Sequence, residues 1–124
     1  MGENMLLTLI LTSVFLGALG QIFLKIGANQ LKTFSLSLDK IISTFFKVIF
    51  TPYVFLGLIF FGLSFFLWVK VLTQAELSYA YPLVSLSYVI VSLASWLFFK
   101  EGLSLGRVSG LFFIILGVSL IVRS

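Results

Sequence analysis

The stretch Leu77 to Phe99, LSYAYPLVSLSYVIVSLASWLFF, holds no charged residue. It is as long as the roughly 20 apolar residues that cross a hydrocarbon core. Yet Ser78, Tyr81, Ser85, Tyr88, Ser92 and Ser95 recur in it at steps of three and four, which sets them on one face of a helix. Pro82 has no N–H, so a backbone carbonyl near Ser78 is freed in the first turns. Inside a bilayer a freed carbonyl needs another partner or a water-lined cavity. Serines alone fit helix packing as well as a polar path. Serine, tyrosine and proline on one side favour the path, and the span reads as the wall of a transport route rather than a plain anchor.

Three further apolar runs flank it, Met5 to Ala28, Pro52 to Thr73 and Ser104 to Val122, each near the spanning length. With 60% hydrophobic and 10% charged residues and a mean hydropathy of +1.23, the 124 residues fall in the range of polytopic membrane proteins. The first run is expected to stay in the mature chain, because Gly2, Glu3 and Asn4 form no basic leader and no small-residue cleavage pattern precedes Lys25. The connection between the first two spans has a pattern of its own. Leu38, Ile41, Ile42, Phe45 and Ile49 share one helical face and Lys40, Ser43, Thr44 and Lys47 the other, predicting an interfacial amphipathic helix over residues 37–50. Ser37 is its expected N-cap, Asp39 suits its first turn, and Thr51 before Pro52 closes it while capping the next span. A surface-seated connector and a gate or headgroup sensor both fit this segment. The other connections are short, with Gly102 in the last turn and Ser104 as a cap, so neighbouring helices run antiparallel. The fold class is all-α integral membrane: residues 1–124 form one four-transmembrane-helix bundle, with spans at about 5–28, 52–73, 77–99 and 104–122, plus the interfacial amphipathic helix between spans one and two.

Cysteine and histidine are absent, which excludes thiol chemistry, imidazole acid/base work and thiolate or imidazole metal sites. The carboxylates Glu3, Asp39, Glu76 and Glu101 are scattered and suggest no acid/base pair, which argues against an enzyme. No motif asks for a nucleotide, a metal or any other cofactor. The net charge of +4 arises at helix ends, where membrane topology accounts for it better than nucleic acid does. The first and third loops hold Lys25, Lys32, Lys40, Lys47, Lys100 and Arg107, against Lys70 and Arg123 on the other side. The positive-inside rule then puts those loops in the cytoplasm and both termini outside. A chain inserted in that single orientation cannot form an antiparallel homodimer.

Several groups are candidates for binding. In span one, Ser13, Gly17 and Gly20 make a small-residue face, beside which Gln21 and Lys25 lie one turn apart. Lys25 is either an anion site or an ammonium snorkelling to the boundary. In span two, Gly57, Ser64 and Trp68 share a face, Trp68 as a substrate platform or as part of the aromatic belt. Glu76 caps the third span, complements its dipole, pairs with Lys70, or faces the cavity mouth. Tyr81, Pro82, Ser85 and Tyr88 supply apolar rings and hydroxyls suited to sugars and lipid headgroups. In span four, Gly106, Gly110, Phe113 and Gly117 line one face, which predicts close packing against a second subunit or within the bundle.

The segments Gly20-Gln21-Ile22-Phe23-Leu24-Lys25, Gly62 to Trp68, Leu77-Ser78-Tyr79-Ala80-Tyr81-Pro82-Leu83, Lys100-Glu101 and Gly110 to Gly117 carry a resemblance. The chain resembles the four-helix branch of the drug/metabolite transporter superfamily, and is most similar there to the small flippase subunits for aminoarabinose linked to undecaprenyl phosphate. The resemblance implies an inner-membrane carrier of a lipid-linked sugar, often working as two small subunits. It also implies that Gln21 and Lys25 approach the lipid phosphate and that Tyr81, Pro82 and Ser85 line the cavity. The segment from Leu36 to Phe50 looks longer than the corresponding connection in that family, and Glu76 has no clear counterpart. The small multidrug exporters are also four-helix chains, but they rely on a carboxylate in mid-span one, where this chain has Gly17. A site with Lys25 and no acid there should attract anions rather than cations.

The expected function is therefore that of a flippase, or flippase subunit, for a polyprenyl-phosphate-linked sugar in the bacterial inner membrane. Its partners would be membrane lipid, the lipid-linked sugar, and a second four-helix chain in a homodimer or heterodimer, without nucleic acid. The headgroup would enter between spans one and three while the tail stays in lipid, with paired bundles rocking around the site. An exporter of small metabolites or drugs, and a non-transporting membrane scaffold, are the alternatives.

Overall fold

The computed structural model describes residues 2–34 and 36–124. In chain order the helices are α1 (Glu3–Leu31), α2 (Ile41–Ile49), α3 (Pro52–Leu72), α4 (Leu77–Leu83), α5 (Leu86–Phe98) and α6 (Leu105–Arg123). Four stretches are long and apolar enough to cross a membrane: α1, α3, α4 with α5, and α6. At most 28% of any of these spans' most apolar windows is buried inside the protein. Their outer surfaces, including Phe65, Phe66, Phe98, Phe112 and Phe113, therefore need lipid as solvent.

The helices pack around α1. It lies along most of α3 and also touches α4 and α5, whereas α6 rests more lightly on α4 and α5. Glycine sets the closeness of α1 to α3. A methyl group on Gly57 would come within 2.9 Å of the Gly20 carbonyl, and one on Gly27 within 2.6 Å of the Val54 side chain. Two serines lock the same pair further along. Ser13 Oγ donates to the Ser64 carbonyl at 2.9 Å, and Ser64 Oγ donates to the Ser13 carbonyl at 2.8 Å. Such bonds contribute only about 0.6 kcal/mol each in a membrane, so they fix register more than stability. Phe23, between Gly20 and Gly27, stacks on Tyr53 and Phe60. The core occupies the opposite end of the bundle, near the chain termini, where Ile10, Val71, Ala80 and Leu83 are wholly buried and Val14 and Val118 nearly so.

The third span is two helices rather than one. α4 ends at Leu83 and α5 begins at Leu86, and the junction is closed by tight turns in which the N–H groups of Val84 and Ser85 reach the carbonyls of Tyr81 and Pro82. Ser85 Oγ donates to the same Pro82 carbonyl at 2.6 Å. Proline removes a helical bond inside α4, and the serine hydroxyl adds a second bond to the carbonyl that its own N–H already reaches.

Local readings at several helix ends are corrected. α2 starts at Ile41 with Lys40 at its N-cap, and residues 38–40 form a turn, so Ser37 does not cap the helix and Asp39 lies before its first turn. Leu38, Ile42, Phe45 and Phe50 remain exposed and no residue of α2 is buried, as an interfacial helix requires. Thr51 stands at the N-cap of α3 but donates its hydroxyl back to the Lys47 carbonyl at 2.9 Å, closing α2 instead. Glu76 stands at the N-cap of α4 without a side-chain capping bond, and it forms no ion pair with Lys70. Ser104 caps α6 as expected, accepting from the Arg107 N–H. In the turn before it, which holds Gly102, the left-handed residue is Lys100, at φ 56°. A side chain there costs about 1 kcal/mol, so Lys100→Gly is expected to raise the melting temperature in detergent by a few degrees.

Candidate functional site

Between the serine clasp and the break in the third span lies an open cavity of about 460 Å³. Span one contributes Ser13, Val14, Gly17 and Gln21; span two contributes Phe61, Ser64, Phe65 and Trp68; span three contributes Tyr81, Val84, Ser87 and Tyr88. Each element has a reason to be there. Gly17 has no side chain, and a methyl group on it would already touch Ser64 Oγ at 3.4 Å, so the wall is cut back at this point. The break after Leu83 brings Tyr81 from α4 and Tyr88 from α5 to one cavity. Both tyrosines are more than half exposed, at 64% and 60%, and neither hydroxyl has a hydrogen bond to a described residue, leaving two phenols for a ligand. Trp68 lies against Tyr81, with ring centres 6.3 Å apart.

The cavity is mostly apolar, with an amide at Gln21 and hydroxyls at Tyr81, Tyr88 and Ser87. That combination takes a molecule with a hydrogen-bonding head and a greasy body better than a free ion. The fully buried core lies on its terminal side, and Ile10 precedes Gln21 by about 16 Å along α1. The buried core thus lies between the cavity and the chain termini.

Of the residues singled out in the sequence, Gln21, Ser64, Trp68, Tyr81 and Tyr88 line this cavity, and Lys25, Glu76, Pro82 and Ser85 do not. Pro82 and Ser85 form the break that shapes it. Lys25 lies one turn beyond Gln21, where its ammonium pairs with Glu101 at 3.7 Å, both side chains about half exposed. α1 is about 43 Å long, beyond the ~30 Å hydrocarbon core, so Lys25 falls near a membrane boundary. Glu101 is held for this contact by the turn at Lys100, its N–H reaching the Ser95 carbonyl. Glu76 lines a separate cavity near the chain termini. Ser87, Phe61 and Phe65 were not singled out; their place depends on the break at Ser85 and on how α1 docks against α3. In α6, Gly110 and Gly117 have no atom within 4 Å of a would-be methyl group, and Phe113 is exposed. The glycine face is therefore not used for packing within the chain.

Curated relatives share much of the chain. It is 38% identical over 117 residues to a protein of Proteus mirabilis named probable 4-amino-4-deoxy-L-arabinose-phosphoundecaprenol flippase subunit ArnF, covering 90% of this chain and 86% of that one. It is 35% identical over 74 residues to the probable flippase subunit ArnE of Pseudomonas aeruginosa, covering 60% and 64%. The ArnE of Yersinia pseudotuberculosis is 42% identical over 59 residues, 48% of this chain and 52% of that one. No solved structure matches. The profile of the EamA-like transporter family matches residues 4–123, nearly the whole bundle, and the chain, a multi-pass membrane protein, belongs to that family.

Proposed function

We propose that this chain is a subunit of a flippase that moves a polyprenyl-phosphate-linked sugar across the bacterial inner membrane. The observation that carries the reading is the cavity itself: an amide and two phenols without a hydrogen bond to a described residue, set in an apolar wall about midway along the spans. The likeness to subunits named as flippases for an amino sugar on phosphoundecaprenol supports the same cargo class. The headgroup enters beside Gln21, Tyr81 and Tyr88, its tail stays in lipid, and Lys25 leaves Glu101 to meet the phosphate. With the first and third loops in the cytoplasm, as the charge bias favours, Lys25 and Glu101 stand on the cytoplasmic side of the cavity.

A second subunit, identical or not, seats against the glycine face of α6, where no described residue approaches Gly110 or Gly117. Movement comes from rocking of the two bundles about the site.

Reconstitution tests this directly. Vesicles containing the protein, together with its partner subunit if the pair is a heterodimer, are loaded with a labelled polyprenyl-phosphate sugar, and the label exposed on the outer face is followed. Tyr81→Phe removes one hydroxyl and keeps the ring, so it is expected to slow movement about fivefold, the worth of about 1 kcal/mol from one hydrogen bond. An unchanged rate would remove Tyr81 from the path, and uptake of soluble metabolites without lipid movement would replace flipping by export.

A further inference from the structure

A second open cavity, also of about 460 Å³, lies at the end of the bundle where α1 begins and α6 ends. Gln74, Ala75 and Glu76 from the turn before α4, Tyr79 from α4, Leu6 from α1, and Val122, Arg123 and Ser124 surround it. It is separated from the mid-membrane cavity by the buried core, which includes Val71, Ala80 and Leu83. Ser124 donates its hydroxyl to the Ile121 carbonyl, but the other polar side chains are unspent. Glu76 stands at a helix N-cap without using its carboxylate there. None of the side chains of Gln74, Glu76, Tyr79 and Arg123 has a hydrogen bond or ion pair to a described residue. One cavity thus offers a carboxylate and a guanidinium that are not neutralised by each other, beside the apolar surfaces of Leu6 and Val122.

We propose that this cavity is a binding site for a headgroup bearing both a phosphate and a primary amine, with Arg123 taking the phosphate and Glu76 the ammonium. A guanidinium suits a phosphate because it donates two parallel bonds to it. A carboxylate prefers an ammonium over a neutral group in the same place, and the apolar rim accommodates the first methylenes of a lipid. Phosphatidylethanolamine of the surrounding leaflet and a phosphoprenol carrying an amino sugar share this chemistry. The site does not depend on the mid-membrane cavity, so it stands or falls separately from the flippase reading.

Native mass spectrometry of the full chain in detergent tests it, using dioleoylphosphatidylethanolamine and its N-acetyl derivative, which keeps the phosphate and loses the charge. The amine lipid is expected to be retained about tenfold better, a difference worth about 1.4 kcal/mol. Glu76→Gln should erase that preference, and Glu76→Asp should keep part of it. Arg123→Gln should weaken both lipids equally. Competition between phosphatidylethanolamine and an aminoarabinosyl phosphoprenol identifies the source: displacement of the first by the second marks a site for cargo, and the reverse marks a site for leaflet lipid. If Glu76→Gln leaves the preference for the amine intact, or Arg123→Gln leaves retention of both lipids intact, the proposal is wrong.

Discussion

Gly57→Val is expected to separate α1 from α3 and to lower stability by about 3 kcal/mol, the upper part of the usual range for overpacking. Only 2.9 Å separates a methyl group at this position from the Gly20 carbonyl. That neighbour is backbone, so no rotamer change relieves the clash and the whole helix must move. The added branches of valine would also press on Leu24, already 3.2 Å from the first methyl group. Moving α1 outward would stretch the reciprocal bonds between Ser13 and Ser64, 2.8 and 2.9 Å long, and open the cavity wall at Gly17. Thermal unfolding in detergent measures the effect. Gly110→Leu provides the contrast, because nothing lies within 4 Å of a methyl group placed there. It should leave the unfolding of the single chain unchanged and shift assembly toward monomer on size exclusion. A Gly57→Val variant that melts like the parent would show that α1 and α3 do not approach as closely as Gly20 and Gly57 allow.

Lys25→Glu is the second large effect, expected to reduce movement of a phosphate-bearing lipid by tenfold or more, about 1.4 kcal/mol at the least. The substitution removes the positive charge nearest the cavity on the side of the first and third loops, and it sets a second carboxylate facing Glu101. The ion pair is about half exposed on both sides, so its own contribution to folding is small and the bundle should still assemble. The double variant Lys25→Glu with Glu101→Lys separates two roles for the lysine. If the pair only closes the mouth, exchanging the charges restores the rate. If the ammonium must leave Glu101 to meet the phosphate one turn from Gln21, the exchange restores assembly but not the rate, and this second outcome is expected. Vesicle assays with the single and double variants, alongside their melting temperatures, decide between them.

Much of the framework was legible without coordinates because the bilayer imposes it. A chain of this hydropathy has to form helices of spanning length, and both the number of spans and the polar residues at Gln21, Ser64, Trp68, Tyr81 and Tyr88 followed from run length and spacing. Periodicity assumes an unbroken helix, however, and the third span breaks at Ser85. There the stripe lost its register: Ser85 turned its hydroxyl to the Pro82 carbonyl, and Ser87, off the stripe, joined the cavity. Glu76 and Lys70 are close in sequence but not paired, and Lys25 and Glu101 are far apart in sequence and do pair. Spacing along a chain says which residues share a face, not which faces meet.

The sequence by itself determined that this protein is a bundle of membrane-spanning helices with a short amphipathic connection, because apolar length and periodicity answer directly to the thickness and dryness of lipid. It also limited the chemistry, since a chain without cysteine or histidine has few groups that react. Only the tertiary structure decided which small residues are spent on packing. Gly20, Gly27 and Gly57 hold α1 against α3, while Gly110 and Gly117, alike in sequence, remain uncovered. It also decided that Lys25 pairs with Glu101 while Glu76 has no ion pair among the described residues. Helix contacts in lipid are chosen by the fit of whole surfaces brought together from distant parts of the chain, and that fit has no signature within any one segment.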